Sequence, residues 1–284
     1  MPRVRRPKLG QHFLVDASYR RRIAAIVDLR SEDLVVEIGP GRGAMTELLA
    51  ERAREVVAVE LDTMLAEELR KKLGPGSPIE VLQADILDVD VAELCRRHGT
   101  ERCLVFGNVP YYITSPIIQR LFLFRDRIRS MALLVQHEVA ERLVAAPGTR
   151  EYGYLTVLTH LFSYPRILLG VPPAAFAPPP KVQSTLVGFQ MRETAGPGSL
   201  LPNAAVVGFS QFVKRCFAQK RKNLSNNLAG FYSRARVELE LDRISLAHSV
   251  RAEQLTLKEL LQLYRRLAVR PVEPVKVQLG TTDD

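Results

Sequence analysis

The chain has 284 residues, of which 46% are hydrophobic and 25% charged, and its formal net charge is +9. This composition excludes a mostly disordered chain, and the length allows one large domain or two modest ones. No apolar segment approaches the roughly 20 residues of a membrane span, and the basic start lacks the apolar region of a secretory signal. The three cysteines are far apart and the five histidines lack metal-ligand spacing, so we expect a cytoplasmic protein with neither a disulfide framework nor a metal.

The positive charge is concentrated at the two ends of the chain. Residues 1–22 contain seven basic residues and one acidic residue, and residues 201–284 contain fourteen basic and eight acidic residues. The intervening residues 23–200 contain nineteen basic and twenty-two acidic residues. This distribution predicts a catalytic body flanked by surfaces that bind a polyanion, although solubilising surface charge explains the composition equally well.

Short apolar segments alternate with helical patterns in the first half of the chain. Because these segments are continuously apolar, they are typical of parallel strands covered by helices on both faces, which defines an α/β fold. The predicted strands are Leu34–Ile38, Val56–Glu60, Ile79–Gln83, Cys103–Gly107 and Met131–Gln136. Two later segments, Arg166–Val171 and Ser184–Met191, predict antiparallel strands that close the sheet.

A linker rich in Gly and Pro follows the last predicted strand, at Glu193–Pro202. We therefore predict a catalytic domain over residues 1–195 and a small, all-helical domain over residues 202–284. One apolar face of the second domain contains Phe209, Phe212, Val213, Cys216 and Phe217. Thr256–Glu259 fits a capping box, and the helix that it opens is predicted to bury Leu257, Leu260, Leu261, Tyr264 and Leu267.

A glycine-rich turn follows the first predicted strand, with glycines at positions 39, 41 and 43. Such a turn lets a ligand approach the backbone closely, and Glu60 ends the next strand, where a carboxylate can accept both hydroxyls of a ribose. The pattern by itself also fits a dinucleotide-binding fold.

Other polar residues near strand ends favour a different cofactor. Glu37 precedes the turn and would repel a pyrophosphate, whereas Asp85 follows the third strand and can accept from the amino group of an adenine. An adenosine cofactor that is cationic and carries no phosphate fits these carboxylates, and S-adenosylmethionine is such a molecule. For Glu37 or Asp85 taken alone, a structural role is nearly as good an interpretation.

The segment Asn108–Tyr111 reads Asn-Val-Pro-Tyr and resembles the motif of methyltransferases that act on exocyclic amino groups. The lone pair of an adenine N6 is delocalised into the ring, so the amine is a poor nucleophile. The Asn108 side-chain oxygen and a nearby backbone carbonyl can accept its two N–H groups and direct the lone pair at a methyl donor. Tyr111 offers a ring on which a flipped-out base can stack.

From about Lys8 to Leu267 the chain resembles the adenine N6,N6-dimethyltransferases of small-subunit ribosomal RNA. The matching segments, in family order, are Gly10–Leu14, Glu37–Gly43, Val59–Glu60, Gln83–Asp85, Asn108–Tyr112 and Pro172–Val182. The resemblance implies a Rossmann-like class I methyltransferase sheet with S-adenosylmethionine as cofactor. It also implies a dimethylation of two adjacent adenosines near the 3′ end of that RNA, with a role in small-subunit biogenesis.

The resemblance also implies the roles of individual residues. The implied catalytic residues are Asn108, Pro110, Tyr111 and Phe176, with the base held between the rings of Tyr111 and Phe176. The implied cofactor contacts are Gln11, His12, Leu14, Gly39, Gly41, Glu60, Leu61, Asp85, Ile86 and Asn108. Without the resemblance, Phe176 would be interpreted as a core residue.

A basic segment at 214–222 is the predicted RNA-binding surface. Lys214 and Arg221 are seven residues apart, as are Arg215 and Lys222, so a continuous helix would place each pair on one side. Together with Lys220, this surface is expected to hold phosphates of immature small ribosomal subunits, with the enzyme acting as a monomer away from membranes. A solvated helix face is the alternative interpretation.

Three other functions compete with this hypothesis. A related enzyme type methylates a large-subunit adenine and confers macrolide resistance, and a non-catalytic ribosome-assembly factor would use the same fold. A nicotinamide-dependent oxidoreductase is the third alternative, but no catalytic pair for it is evident in the sequence.

Overall fold

The computed structural model describes residues 12–193 and 199–268, and the side chain of Tyr111 is left out of the description. Its strands are β1 (Phe13–Leu14), β2 (Leu34–Ile38), β3 (Glu55–Glu60), β4 (Ile79–Gln83), β5 (Cys103–Asn108), β6 (Ile128–Gln136), β7 (Ser163–Val171), β8 (Phe176–Ala177) and β9 (Ser184–Met191). Its helices are α1 (Ala17–Ile26), α2 (Thr46–Ala50), α3 (Thr63–Lys72), α4 (Val91–Arg97), α5 (Thr114–Leu123), α6 (His137–Val144), α7 (Tyr154–Phe162), α8 (Asn203–Cys216), α9 (Leu224–Leu228), α10 (Arg234–Asp242) and α11 (Leu257–Ala268).

Seven strands form one mixed sheet in the order β4-β3-β2-β5-β6-β9-β7. Neighbouring strands from β4 to β6 are parallel, whereas β9 pairs antiparallel with both β6 and β7. The α/β fold and the antiparallel closing strands predicted from the sequence are therefore confirmed. A second, two-stranded ladder joins β1 to β8, and strands of two residues are too short to leave a recognisable pattern in the sequence.

Aspartates set the beginnings of three helices that follow strands or loops of the sheet domain. The Asp62 carboxylate accepts from the backbone N–H groups of Met64 and Leu65, at 2.9 and 3.3 Å, and so caps α3. Asp16 and Asp90 cap α1 and α4 in the same way. A carboxylate in this position satisfies N–H groups that have no partner within the helix, so local sequence fixes where these helices begin.

The described residues fall into two compact units. The first contains the described residues up to Ala145 together with Leu158–Asn203, and the second contains Ala146–Val157 and the described residues from Ala204 onward. The segment Ala146–Val157 therefore groups with the helical unit, whereas the boundary drawn from the sequence placed it in the catalytic domain. Contacts at Gly148 and Tyr152 explain the grouping: Gly148 N–H donates to the Glu253 carbonyl at 2.7 Å, and the Tyr152 ring lies 6.0 Å from that of Phe217.

In the helical unit, α11 begins at the predicted capping box. The Thr256 N–H donates to the Glu259 carboxylate at 2.7 Å, and the Glu259 N–H donates back to the Thr256 hydroxyl at 3.2 Å. The buried face of α11 differs from the prediction, because Leu263 is fully buried while Leu257 and Tyr264 are only half-buried. No helix within the described ranges is both long and apolar enough to span a bilayer.

Candidate functional site

The candidate site lies at the carboxyl ends of four parallel strands. The glycine-rich turn follows β2, Glu60 ends β3, Asp85 lies two residues after β4, and Asn108 ends β5. The chain leaves β2 in one direction through β3 and β4, and then returns to pair β5 on the other side of β2. Ligands of open α/β sheets bind at such a reversal of strand order, so the topology brings together residues that are up to 69 positions apart in the chain.

These strand ends line a cavity that is open to solvent, and ligand sites are typically concave and mostly apolar with a few polar groups. Glu60 and Asp85 are its acidic lining residues, and no Lys or Arg is found among the described residues that line it. Its apolar walls are formed by Ile38, Val59, Leu61, Ile86, Val109, Ile113 and Ile117. The cavity therefore suits a flat apolar group together with a cationic or hydroxyl-bearing one.

The Glu60 carboxylate is held by the backbone on both sides. One oxygen accepts from the N–H of Gly41 at 3.0 Å, and the other accepts from the N–H of Asp62 at 2.9 Å. Burial raises the pKa of Glu60 above its ordinary value, and these two hydrogen bonds act in the opposite direction. Because a carboxylate oxygen has two lone pairs, each oxygen can still accept one hydroxyl of a ligand.

Asp85 and Asn108 also have their side chains oriented by the backbone. One Asp85 oxygen accepts from the N–H of Leu87 at 2.9 Å, and the other has no donor among the described residues and can accept from a ligand amine. The Asn108 amide nitrogen donates to the carbonyl of His12 at 3.0 Å. A carbonyl can only accept, so this contact assigns the amide orientation and reserves the Asn108 oxygen as an acceptor.

His12 connects the N-terminal segment to the loop that follows β8. Its Nδ1 lies 2.7 Å from the Pro178 carbonyl, and since a carbonyl only accepts, Nδ1 carries a proton and donates. The β1–β8 ladder begins one residue later, with Phe13 opposite Ala177. The ladder and the His12 contact therefore anchor the segment whose backbone orients Asn108.

Glu37 lies within β2 with only 2% of its surface exposed, and its Oε2 atom has no hydrogen-bond partner among the described residues. Burial is the largest cause that raises the pKa of Glu37 to about 8, and the nearby Glu60 charge adds to it. At neutral pH this group is therefore mainly a neutral carboxylic acid.

Glu37→Gln is expected to change how stability depends on pH. The folded protein keeps the Glu37 proton up to about pH 8, while the unfolded chain releases it near 4.5, so the free energy of unfolding falls as pH rises between these values. The variant lacks this contribution of Glu37 to the fall. Urea unfolding without cofactor measures the free energy of unfolding of both proteins at pH 5 and pH 8. The free energy of the variant minus that of the wild type should be larger at pH 8 than at pH 5. An equal difference at the two pH values would contradict the raised pKa assigned to Glu37.

The glycine at position 41 makes room for the ring of Phe13. Gly41 has a φ of +55°, and a Cβ atom there would lie 2.8 Å from Phe13 Cε1. The backbone N–H of Gly41 also donates to Glu60. Gly41 therefore contacts both the β1 strand, through the ring of Phe13, and the candidate ribose acceptor Glu60.

Gly41→Ala is expected to destabilise the fold and to weaken ligand binding in the cavity. A left-handed conformation costs a non-glycine residue about 1–2 kcal/mol, and the overlap with Phe13 adds to this cost. Gly76→Ala is the matched control, because Gly76 has a φ of +76° but no atom within 4 Å of the added Cβ. Thermal unfolding should show the larger destabilisation for Gly41→Ala, and equal destabilisation of the two variants would refute the steric explanation.

Most of the residues predicted to contact the cofactor line this cavity. They are His12, Gly39, Gly41, Glu60, Leu61, Asp85, Ile86 and Asn108, and the predicted catalytic Pro110 lies with them. Gln11 lies outside the described residues, and of Tyr111 only the backbone is described, in a 3₁₀ helix over Tyr111–Ile113.

Two predicted site residues lie in the hydrophobic core instead. Phe176 is 3% exposed and Leu14 is 5% exposed, and both belong to the cluster packed beneath the β1–β8 ladder. Phe176 belongs to the same buried cluster as Val171 and Leu186, and its base-stacking role stays a prediction. The Leu14 side chain lines a second cavity rather than the first.

Tyr112 is a further aromatic residue of the candidate site. Its side chain is 63% exposed and lines the first cavity. An exposed aromatic ring at a cavity mouth is a natural stacking surface for a base. The signal in the sequence was the unusual pair of tyrosines directly after Asn-Val-Pro, but two adjacent tyrosines do not reveal which ring faces the cavity.

The predicted helical face of the basic segment is wrong beyond residue 216. Helix α8 ends at Cys216, and the Asn227 amide donates to the carbonyls of Cys216 and Gln219 at 2.8 and 3.1 Å. Since these bonds satisfy carbonyls that further helical turns would have used, Lys220, Arg221 and Lys222 lie in the turn before α9.

The side chains of the basic segment have different surroundings. The Arg215 guanidinium lies 3.5 Å from the centre of the Phe231 ring, and Lys220 Nζ donates to the Arg150 carbonyl at 3.2 Å. Lys214, Arg221 and Lys222 are exposed. The segment therefore remains a basic surface, with Lys214 and Arg215 on α8 and the other three cations in the turn.

The seven-stranded sheet, with its acidic cavity at the carboxyl edge and Asn108 at the strand reversal, defines a Rossmann-like methyltransferase. The chain belongs to the ribosomal RNA adenine dimethylase family, whose model matches residues 3–269.

Individual relatives agree with this assignment. The chain is 42% identical to ribosomal RNA small subunit methyltransferase A of Acidobacterium capsulatum, over 93% of this chain and 92% of that protein. It is 40% identical to the protein of the same name in Koribacter versatilis, over 93% and 95% of the two chains. Among solved structures, it is similar to the 23S rRNA methyltransferase ErmE, with 31% identity, a TM-score of 0.68, and coverage of 90% of this chain and 99% of that one.

Proposed function

We propose that this protein transfers methyl groups from S-adenosylmethionine to N6 of adenosines in small-subunit ribosomal RNA, giving N6,N6-dimethyladenosine. The observation that carries the proposal is the placement of Asn108 at the strand reversal, with its amide oxygen reserved as an acceptor beside an acidic cavity. Membership of the adenine dimethylase family supports the reaction, and the 40–42% identity to small-subunit enzymes supports the substrate.

The chemistry of the cavity fits the proposed cofactor. Glu60 would accept the ribose hydroxyls, and the oxygen of Asp85 that makes no backbone contact would accept the adenine amine between the apolar side chains of Leu61 and Ile86. The acidic lining favours a cation and disfavours the pyrophosphate of a dinucleotide. When bound, S-adenosylmethionine supplies an electrophilic methyl group on a positively charged sulfur.

The chain's own residues would prepare the amine for attack. The Asn108 oxygen would accept one N6–H of the target adenine, and the backbone carbonyl of Val109 is the candidate acceptor for the other. Accepting both hydrogens opposes delocalisation of the lone pair into the ring and orients it. The exposed ring of Tyr112 is available to stack on a base at the cavity mouth.

Neutralising Lys214, Arg221 or Lys222 is expected to weaken RNA binding. Removing one phosphate contact lowers the slope of log affinity against log salt by about 0.7–0.9, so each single Gln variant should bind less tightly and with a smaller slope. Lys258→Gln is the control, because Lys258 is exposed on α11 of the same unit. Filter binding at several salt concentrations measures the RNA affinity and its salt slope. Unchanged slopes would show that these cations do not contact RNA phosphates.

One assay tests the proposed function against its competitors. The protein is incubated with methyl-labelled S-adenosylmethionine and undermethylated small or large ribosomal subunits. Label in small-subunit RNA as N6,N6-dimethyladenosine is the expected result. Label only in large-subunit RNA would favour the activity named for the solved relative ErmE, and label in neither would favour a non-catalytic assembly factor.

A further inference from the structure

A second cavity adjoins the first and differs from it in charge. The two cavities share Phe13, Gly39 and Asn108 as lining residues. The second is also lined by Arg20, from α1, and by Arg42, from the turn between β2 and α2. Two arginines and Asn108 therefore line the same cavity.

Neither guanidinium has a carboxylate partner within the described part of the chain. Arg42 is exposed and its guanidinium carbon lies 5.3 Å from the centre of the Phe13 ring, a cation–π contact that leaves its N–H groups available. Arg20 is half-buried, and its Nε is a buried donor without a hydrogen-bond partner. By contrast, Arg129 is paired with both Asp28 and Asp33.

The acid in the second cavity does not neutralise these cations. Glu37 is the acidic side chain among its described lining residues. Because burial raises the pKa of Glu37 to about 8, this group is mainly uncharged at neutral pH. The second cavity therefore carries net positive charge, whereas the first carries two carboxylates.

We propose that Arg20 and Arg42 hold a phosphate of the RNA strand next to the target adenosine, and so position that nucleotide at Asn108. The inference rests on the proposed function, and it makes both arginines positioning residues rather than catalytic ones. A guanidinium fork matches the oxygens of a phosphate, and charge-assisted hydrogen bonds of this kind are among the strongest that a polar surface offers. A carboxylate of the cofactor offers the same oxyanion chemistry, and the experiment separates the two sources.

The test compares Arg20→Gln, Arg42→Gln and the double variant with two controls. Arg21→Gln removes a neighbouring exposed cation of α1, and Lys71→Gln removes an exposed cation of α3; neither residue lines a cavity. Methyl transfer to undermethylated small subunits gives KM for the RNA and kcat. Calorimetry gives the affinity for S-adenosylmethionine without RNA, and filter binding gives the salt slope for RNA.

We expect each single variant of Arg20 or Arg42 to raise KM for the RNA about tenfold, the effect of removing one charge-assisted hydrogen bond, with a larger rise in the double variant. Cofactor affinity and the activity of both controls should stay at the wild-type level, and the salt slope should fall by about 0.7–0.9 per arginine. Arg42→Lys should restore part of the RNA affinity, because it keeps the charge without the planar fork.

Three outcomes would overturn the inference. Weaker cofactor binding in the absence of RNA would assign the arginines to the cofactor carboxylate. An equal effect of Arg21→Gln would show that general surface charge, and not a specific phosphate contact, explains the change in KM. Unchanged KM and salt slope in the Arg20 and Arg42 variants would show that these arginines contact no phosphate. Failure of the proposed function is a separate result, because the wild type itself would then transfer no methyl group in the same assay.

Discussion

Asn108→Ala is expected to lower kcat for methyl transfer at least about a hundredfold, the range seen when a single positioned hydrogen-bonding group is removed from a reacting centre. The Asn108 amide nitrogen is held by the His12 carbonyl at 3.0 Å, which leaves the oxygen as the acceptor for the target amine. Alanine removes that acceptor, so the lone pair of N6 stays delocalised in the ring. The contacts with RNA phosphates are made by other residues, and RNA affinity should therefore change little.

Rates from single-turnover transfer and affinities from filter binding measure the two effects separately. Asn226→Ala removes an exposed amide on α9 and serves as the control for removal of an asparagine. Equal unfolding temperatures of variant and wild type would show that the β1 segment stays anchored through the Pro178 contact and the β1–β8 ladder. Full activity of Asn108→Ala would refute the role assigned to this residue.

Glu60→Gln is expected to weaken binding of S-adenosylmethionine about a hundredfold, because two hydrogen bonds to a charged acceptor contribute about 1.5–3 kcal/mol each. The carboxylate has two oxygens and accepts backbone N–H groups at both. A glutamine amide has one acceptor, so its NH₂ group must face the N–H of Gly41 or of Asp62. The substitution therefore disturbs the turn as well as the proposed contacts with the ribose.

Calorimetric titration with S-adenosylmethionine measures the effect without RNA. Glu67→Gln is the matched control, since Glu67 is an exposed glutamate on α3, the helix that follows Glu60. We expect wild-type affinity for this control. If Glu60→Gln also binds with wild-type affinity, Glu60 is not the ribose acceptor and its contacts serve the turn alone.

The central parallel strands were predictable because they are buried on both faces of the sheet. All five residues of Leu34–Ile38 are buried, and four of them are apolar, a pattern that indicates a strand covered on both faces. The grouping of the residues that end these strands was predictable from the parallel arrangement. Once strands are parallel, their carboxyl ends meet at one edge, and Glu60, Asp85 and Asn108 must lie close together.

The errors occur where long-range contacts override a local pattern. Lys214 and Arg221 fit a helical spacing, but the Asn227 side chain binds the carbonyls at the end of α8 and the helix stops. The burial of Phe176 likewise accompanies the pairing of β8 with the distant strand β1, and its base-stacking role stays a prediction. Tyr112 faces the cavity because of the 3₁₀ turn after β5, and no periodicity in the sequence reports that turn.

The class of fold, the strand ends that carry the site and the residue types at Glu60, Asp85 and Asn108 were predictable, because they follow from hydrophobic patterning and from the order of strands along the chain. The folded arrangement was needed to find that the Asn108 oxygen and one Asp85 oxygen have no partner among the described residues, that Glu37 is buried and mainly neutral, and that Arg20 and Arg42 line one cavity. Each of these properties depends on atoms contributed by distant segments. The +9 charge of the chain fits a polyanionic partner and solubilising surface charge equally well, whereas the placement of individual cations in a cavity beside Asn108 required the fold.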